Sequence, residues 1–265
     1  MRHKLTVFLI LSFLTQAAFA GGAGNSPPVP GDDDPRKLKR EMTEEELESS
    51  IGRMGEVEPI PEDFEFNEAE NKLWLDDHLE NINKPVRLYY EFEKSGSYEE
   101  GFSDSVYLDI LEINEDGTKN ADLDFFSAER KQEVSPQNVT NIRGNPILAV
   151  YMQGDIYEMN RLTDGHWRYF QKRIKIAMRE VATVEPVTFQ FNGKEIKGEK
   201  IVFLPYIDDP HRSDFERFAD KRYEFILSDE IPGKLYQIRT IIPDDSSGKP
   251  LIEEKLQLVE VNFDG

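Results

Sequence analysis

The 265-residue chain contains no cysteine. That absence removes disulfides, a thiolate nucleophile, and the lipobox cysteine that a lipid-anchored bacterial protein needs. A secreted eukaryotic domain usually carries disulfides, so a secreted chain without them points to a bacterial periplasm and to a core that stands without covalent staples. The sequon Asn138-Val139-Thr140 carries no glycan in such a setting. The sequence also lacks any apolar run of the ~20 residues that a spanning helix needs. G-x-S-x-G, H-E-x-x-H, G-x-G-x-x-G and the P-loop are all missing. Positive charge is in short supply: 32 Lys and Arg face 52 Asp and Glu, for a net charge of −20. Sequence-independent binding of nucleic acid is excluded on that balance.

The first twenty residues have the pattern of an export signal. Arg2, His3 and Lys4 precede an apolar run from Leu5 to Leu14, and Ala18-Phe19-Ala20 supplies an A-x-A site before Gly21. Cleavage near Ala20 removes Arg2 and Lys4 and leaves 30 basic against 52 acidic residues, a net −22. Residues 21–66 are expected to form a flexible acidic linker, because Gly, Pro, Ser and Asp bury too little surface to offset their ordering entropy. Within it, Thr43 and Glu46 have the spacing of a capping box for a short helix over 44–51. A second short helix is expected within 67–84, capped by Asn67 and packed through Leu73, Trp74 and Ile82.

A single α+β domain is expected over 85–265. Val86, Leu88, Tyr90 and Phe92 alternate with polar partners, which is the period of a half-buried strand. Further strands are expected over 105–113 and 121–125, joined by the Asp116-Gly117 turn, and over 147–151. Another group covers 187–191, 199–206, 223–227, 234–242 and 251–263, with an Asn192-Gly193 hairpin. In the last strand the apolar phase shifts by one residue between Leu258 and Val259, which predicts a bulge. Between the two groups the period turns helical. Ile156, Met159 and Leu162 form one stripe, Asp164-Gly165 breaks it, and Trp167, Phe170, Ile174 and Met178 form another. A short helix is expected over 213–220. The fold class is therefore a curved, mostly antiparallel sheet or partial barrel of about eight strands with an inserted helical pair.

Three constellations bear on function. The second inserted helix carries Arg168, Lys172, Arg173, Lys175 and Arg179 on a molecule that is otherwise strongly acidic. Such a basic amphipathic helix over 166–181 suits a membrane surface or an acidic partner, and equally suits pairing with the protein's own carboxylates. Asp155, Glu158 and Arg161 share a helical face, as an acid–base pair or as plain ion pairs. Asp208 and Asp209 lie beside His211, in a pattern that serves a divalent metal or a turn. No cofactor is expected.

The stretch from Val86 to Phe263 resembles a group of periplasmic proteins of proteobacteria. The resemblance is carried by Asn145-Pro146, the run 155–163, Tyr169-Phe170 with Arg173, the run 205–210, and Tyr223 with Ser228 and Pro232-Gly233. In architecture the chain is also similar to the lipoprotein-carrier fold of LolA and LolB. That similarity implies an apolar cavity under a helical lid.

These readings give three functional classes. The first is a non-catalytic periplasmic carrier of an apolar ligand, lipid-like or peptide, held against the aromatic rows Tyr90, Phe92, Phe125, Phe189, Phe191 and Phe225. The second is a cell-envelope assembly factor that docks on another protein. The third is a hydrolase using Asp155 with Glu158, or Asp208 with Asp209. Candidate ligand or partner contacts are Asp155, Glu158, Arg161, Trp167, Tyr169, Arg173, Asp208, Asp209 and Tyr223. The chain is not expected to span a membrane.

Overall fold

The computed structural model describes residues 65–127, 138–244 and 248–263. The expected helix over 44–51, the expected export signal and all but the last two residues of the expected linker lie outside the described residues. Nine strands form one curved, open antiparallel sheet. They are β1 (Val86–Gly96), β2 (Phe102–Ile113), β3 (Lys119–Phe125), β4 (Asn138–Ile142), β5 (Thr183–Phe191), β6 (Lys194–Phe203), β7 (Arg222–Leu227), β8 (Leu235–Ile242) and β9 (Ile252–Asn262). Their spatial order is β4-β3-β2-β1-β9-β8-β7-β6-β5. Two meanders thus meet where the first strand pairs with the last, and β4 and β5 are the two free edges. Pro186, which has no N–H to give a ladder, is tolerated in β5 because β5 is an edge.

The helices follow from the connections. α1 (Glu68–Glu70) continues into a π-helical turn at Asn71–Leu75. Asn67 and Glu70 close a capping box at its start. α2 (Pro146–Thr163) and α3 (Trp167–Glu180) link β4 to β5, and α4 (Arg212–Phe215) runs into a 3-10 turn at Glu216–Asp220. Since β4 and β5 lie at opposite edges, the chain between them has to cross the whole width of the sheet. It crosses as the helical pair. The pair turns tightly at Asp164, in the left-handed region at φ 54°, and at Gly165, where a Cβ would lie 2.6 Å from the Phe170 ring.

The alternating rows of the sheet set the core. Leu88, Tyr90, Leu108, Ile238, Leu256 and Leu258 face the helices and are at most 1% exposed. They belong to one cluster with Ile147, Leu148, Ile156 and Met159 of α2 and with Phe170, Ile174 and Met178 of α3. The expected bulge is present: Tyr89 pairs with Glu260 and Tyr90 with Leu258, leaving Val259 as the extra residue. Both turn signals hold. Asn192 and Gly193 are at φ 49° and 72°, as a type I′ hairpin requires, and Gly117 is at φ 83°.

Two expectations are corrected. Residues 147–151 are not a strand but the first turns of α2. Asn145 caps that helix, its Oδ1 accepting from Ile147 N, and Pro146 occupies the first helical position. β4 instead comes from Asn138–Ile142, a polar edge segment whose one buried residue is Val139.

Asn145 also donates from Nδ2 to the Gly233 carbonyl at 3.1 Å, and its backbone N–H donates to Nδ1 of buried His78 at 3.1 Å. Asn145→Ala is expected to cost about 2–3 kcal/mol, the sum of a lost cap and a buried hydrogen bond. Urea unfolding of the two proteins measures it; a cost under about 0.5 kcal/mol would show that the cap does not hold α2.

Candidate functional site

The inward rows of the sheet are apolar except at one end, where they turn polar together. In β1 the row Val86, Leu88, Tyr90, Phe92 ends on Lys94. In β9 the row Leu258, Leu256 reaches Glu254, and in β8 Ile238 is followed by Thr240. The register makes these cross-strand neighbours: Lys94 faces Glu254, Glu254 faces Thr240, and Thr240 faces Tyr223 of β7. The result is a polar row across four strands. α2 lies over it with Tyr151, Asp155 and Glu158, whose spacings of four and three place them on one face.

Two linked clusters result. In the first, Lys221, just ahead of β7, pairs with Asp155 Oδ1, and the Tyr223 hydroxyl donates to Asp155 Oδ2 at 2.5 Å. The Tyr206 and Tyr223 hydroxyls are 3.4 Å apart. Asp155, Lys221, Tyr206 and Tyr223 are all buried. Burial and the neighbouring Asp155 carboxylate push the Tyr223 hydroxyl far above its ordinary pKa, so it stays protonated and donates to Asp155.

In the second cluster, Lys94 Nζ reaches Glu158 at 2.6 Å, Glu99 at 2.7 Å and Glu254 at 3.2 Å. Arg161 grips Glu158 with both Nε and Nη2, at 2.8 and 2.7 Å, and also reaches Glu99. Burial works against charge on Glu158, but Arg161 and Lys94 outweigh it and hold the carboxyl down at about 2. Glu254 is displaced the other way: burial raises it, Lys221 and Lys94 only partly offset that, and Asp155 and Glu158 add to it. Tyr151 joins the clusters, its hydroxyl 3.4 Å from Glu254 and 3.3 Å from Thr240.

A third group fixes α3. Asp209, in the turn after β6, accepts from the Tyr169 hydroxyl at 2.5 Å and from His211 N at 2.8 Å. Arg173 Nε comes within 2.6 Å of its other oxygen, an ion pair whose N–H does not point at the carboxylate. Burial and the same carboxylate raise the Tyr169 hydroxyl well above its ordinary pKa.

Of the nine residues singled out from sequence, the structure brings Asp155 to Tyr223, Glu158 to Arg161, and Tyr169 and Arg173 to Asp209. Asp208 is exposed and takes no part in the Asp209 contacts described. Trp167 is half-buried at the α2–α3 tip, beside Tyr157 and under the Arg168 guanidinium at 5.0 Å. Lys94, Lys221, Glu254, Thr240 and Tyr206 were not singled out. The signal for three of them was present: Lys94, Thr240 and Glu254 occupy inward positions in otherwise apolar period-two rows. Phe189 and Phe191 were grouped with the inward aromatics, but they are half-buried and pack on Tyr236, with ring centroids 3.9 and 6.2 Å away.

A cleft of about 610 Å³ lies elsewhere, at the α1 end of the sheet. It is lined largely by charged side chains, among them Lys72, Glu80, Glu199, Asp229 and Lys234. Lys72 pairs there with Glu199 and Lys234 with Glu80, each at 2.5 Å. It is not an apolar pocket. Among the described residues no group of three His, Asp or Glu is arranged to hold a metal ion, and no helix is long and apolar enough to cross a membrane.

The described residues form an open, curved antiparallel sheet with helices laid across one face. No protein-family model and no curated protein matches the sequence. Three of the solved structures similar to the chain are as follows. Lipoprotein LppX of Mycobacterium tuberculosis has 7% identity and a TM-score of 0.27, over 66% of this chain and 86% of that one. A LolA superfamily protein of Nitrosomonas europaea has 8% identity and a TM-score of 0.23, over 74% and 94%. A DUF1329 family protein of Desulfovibrio piger has 10% identity and a TM-score of 0.23, over 69% and 87%.

Proposed function

We propose that the mature chain is a non-catalytic periplasmic binding or carrier protein for an apolar ligand, taken up between the helical pair and the inward face of the sheet. The observation that carries this reading is the way the pair is held. α2 and α3 cross the sheet from edge to edge and are fixed to it by ion pairs at Asp155, Glu158 and Arg173 as well as by apolar contacts. Beneath them lies the inward face of the sheet, whose buried rows form one apolar cluster with both helices. Carboxylates taken up by Lys221, Lys94 and Arg161 are fixed partners for cations.

One feature favours a second reading. The inward face is filled by its own side chains, with Tyr90, Leu88 and Leu256 wholly buried. A protein whose core stays filled acts through its outer surface, as an assembly factor docking on an envelope protein would.

Native mass spectrometry of the mature protein, purified from its own periplasm and followed by solvent extraction, separates the two. Near-stoichiometric co-purifying acyl species, lost on extraction, are expected. A clean apo mass, together with no uptake of a fluorescent fatty-acid probe, would overturn the carrier reading in favour of docking.

A further inference from the structure

Six buried side-chain nitrogen or oxygen atoms among the described residues have no hydrogen-bond partner. Three of them, Arg173 Nε, Asp209 Oδ2 and Arg222 Nε, still belong to ion pairs, Arg173 with Asp209 and Arg222 with Glu224. The other three are Nε2 and Oε1 of Gln153 on α2 and Nε2 of Gln171 on α3. A buried amide left without partners costs stability, and folded proteins keep few of them. Two within one helical pair call for a partner from outside the chain.

Helix geometry puts the two amides on one seam. α2 and α3 are joined by only three residues, 164–166, so they run antiparallel. Near that turn Tyr157 of α2 meets Trp167 of α3, with ring centroids 6.4 Å apart. One helical turn on from this contact, four residues back along α2 and four forward along α3, stand Gln153 and Gln171. They therefore lie on the flanks by which the two helices face each other, yet no hydrogen bond joins them. The neighbouring positions on the inner side, Met152 and Ile156 of α2 and Phe170 and Ile174 of α3, belong to the apolar core cluster. The seam is thus polar at the amides and apolar just below them.

We propose that Gln153 and Gln171 form the polar end of the ligand site, and that the ligand carries its apolar chain on a neutral amide. This rests on the carrier reading above and names the chemistry of that ligand's head. The match is one of donors and acceptors. Gln153 offers an open acceptor and an open donor, and Gln171 an open donor. A secondary amide answers with one N–H, for Gln153 Oε1, and with a carbonyl whose two lone pairs suit the two Nε2 donors. An ester or a carboxylate has no N–H and leaves Gln153 Oε1 unsatisfied, which a buried site penalises. A carboxylate head would seat instead at Lys175, one turn beyond Gln171 on the same helix.

The test is calorimetric titration of the mature chain with three probes of one acyl length: N-methyldecanamide, methyl decanoate and decanoate. The amide is expected to bind roughly three- to tenfold more tightly than the ester, the worth of one buried hydrogen bond. Gln153→Leu removes the only open acceptor and should abolish that preference. Gln171→Leu removes a donor that both probes use and should weaken both alike. Thermal unfolding of the ligand-free variants supplies a second readout. Each change takes an unpartnered amide out of the interior, so each should raise Tm by about 2 °C or more. Equal affinity for amide and ester, or tightest binding of decanoate, overturns the proposal and leaves the carrier reading standing. A fall in Tm in both variants also overturns it, since the amides would then be held by bound water. Binding of none of the three probes overturns the carrier reading and this inference with it.

Discussion

Asp155→Ala is expected to destabilise the protein by about 3–5 kcal/mol, the cost of leaving a buried charge without its partner. The side chains of Asp155 and Lys221 are 1% and 2% exposed. Removing the carboxylate strands the Lys221 ammonium and also takes the acceptor from the Tyr223 hydroxyl. In a chain of this size the loss corresponds to a fall in Tm of roughly 10 °C or more. The comparison that gives the number its meaning is the triple change Asp155→Leu, Lys221→Met and Tyr223→Phe. It replaces the whole buried group by apolar side chains of similar volume and is expected to recover most of the stability, since a buried pair returns little beyond its own desolvation. Reversible thermal and urea unfolding of wild type, Asp155→Ala and the triple variant decide the matter. A single change costing under about 1 kcal/mol would mean that Lys221 finds water or another acid. If the triple variant is stable but no longer takes up an apolar probe, the cluster serves binding and not only folding.

Glu158→Gln is expected to lower stability by about 2–3 kcal/mol at pH 7, and the difference from wild type should vanish on acidification. Glu158 is held at about 2 against an ordinary value of 4.5, and each unit is worth 1.36 kcal/mol. The sign follows from linkage. A carboxyl whose folded pKa is depressed contributes its stability fully above the unfolded pKa and loses it as pH falls towards the folded one. The wild-type advantage should therefore be full above about pH 5 and decay between pH 4.5 and about 2. Glu254 runs the other way. Its folded pKa is raised, so its contribution is present at low pH and is lost as pH rises through that value. The raw stability curve mixes the two; the difference between wild type and Glu158→Gln is dominated by the first and carries only that part of the Glu254 shift which Glu158 itself causes. A difference that stays constant from pH 7 to pH 2.5 would show that Arg161 and Lys94 do not hold this carboxylate in its charged form.

The strands were legible because their chemistry is local. Alternation in 86–92 and the phase shift at Val259 both depend on which way a pleat points, and the sequence states that residue by residue. The start of α2 was misread because Ile147 to Tyr151 is a short apolar run, which suits a buried strand or a buried helix equally. The deciding signal is Asn145-Pro146, a helix cap followed by proline at the first position. β4 went unseen because an edge strand with one buried residue has almost no pattern. For the site, Asp155 and Glu158 could be placed on one helical face, but their partners could not. Lys221 is 66 positions from Asp155, follows a 3-10 turn and belongs to no periodic row. Lys94, Thr240 and Glu254 were different: at an inward position of an apolar row an ion has to meet a counter-charge and a hydroxyl a hydrogen-bond partner, so each of these positions is flagged by the pattern.

The pairing of β1 with β9 has a consequence for how the chain reaches this state. Residues 86–96 and 252–262 form the central seam of the sheet, so the contacts that unite its halves are the most distant in the sequence. Each meander can zip locally, but the seam closes only when the last strand has arrived, and contacts of such long range slow folding. Until then the exposed rims of β1 and β8 are open to pairing with other chains. A protein built this way is completed only once its whole length is free, and its acidic charge keeps the unfinished halves of neighbouring copies apart.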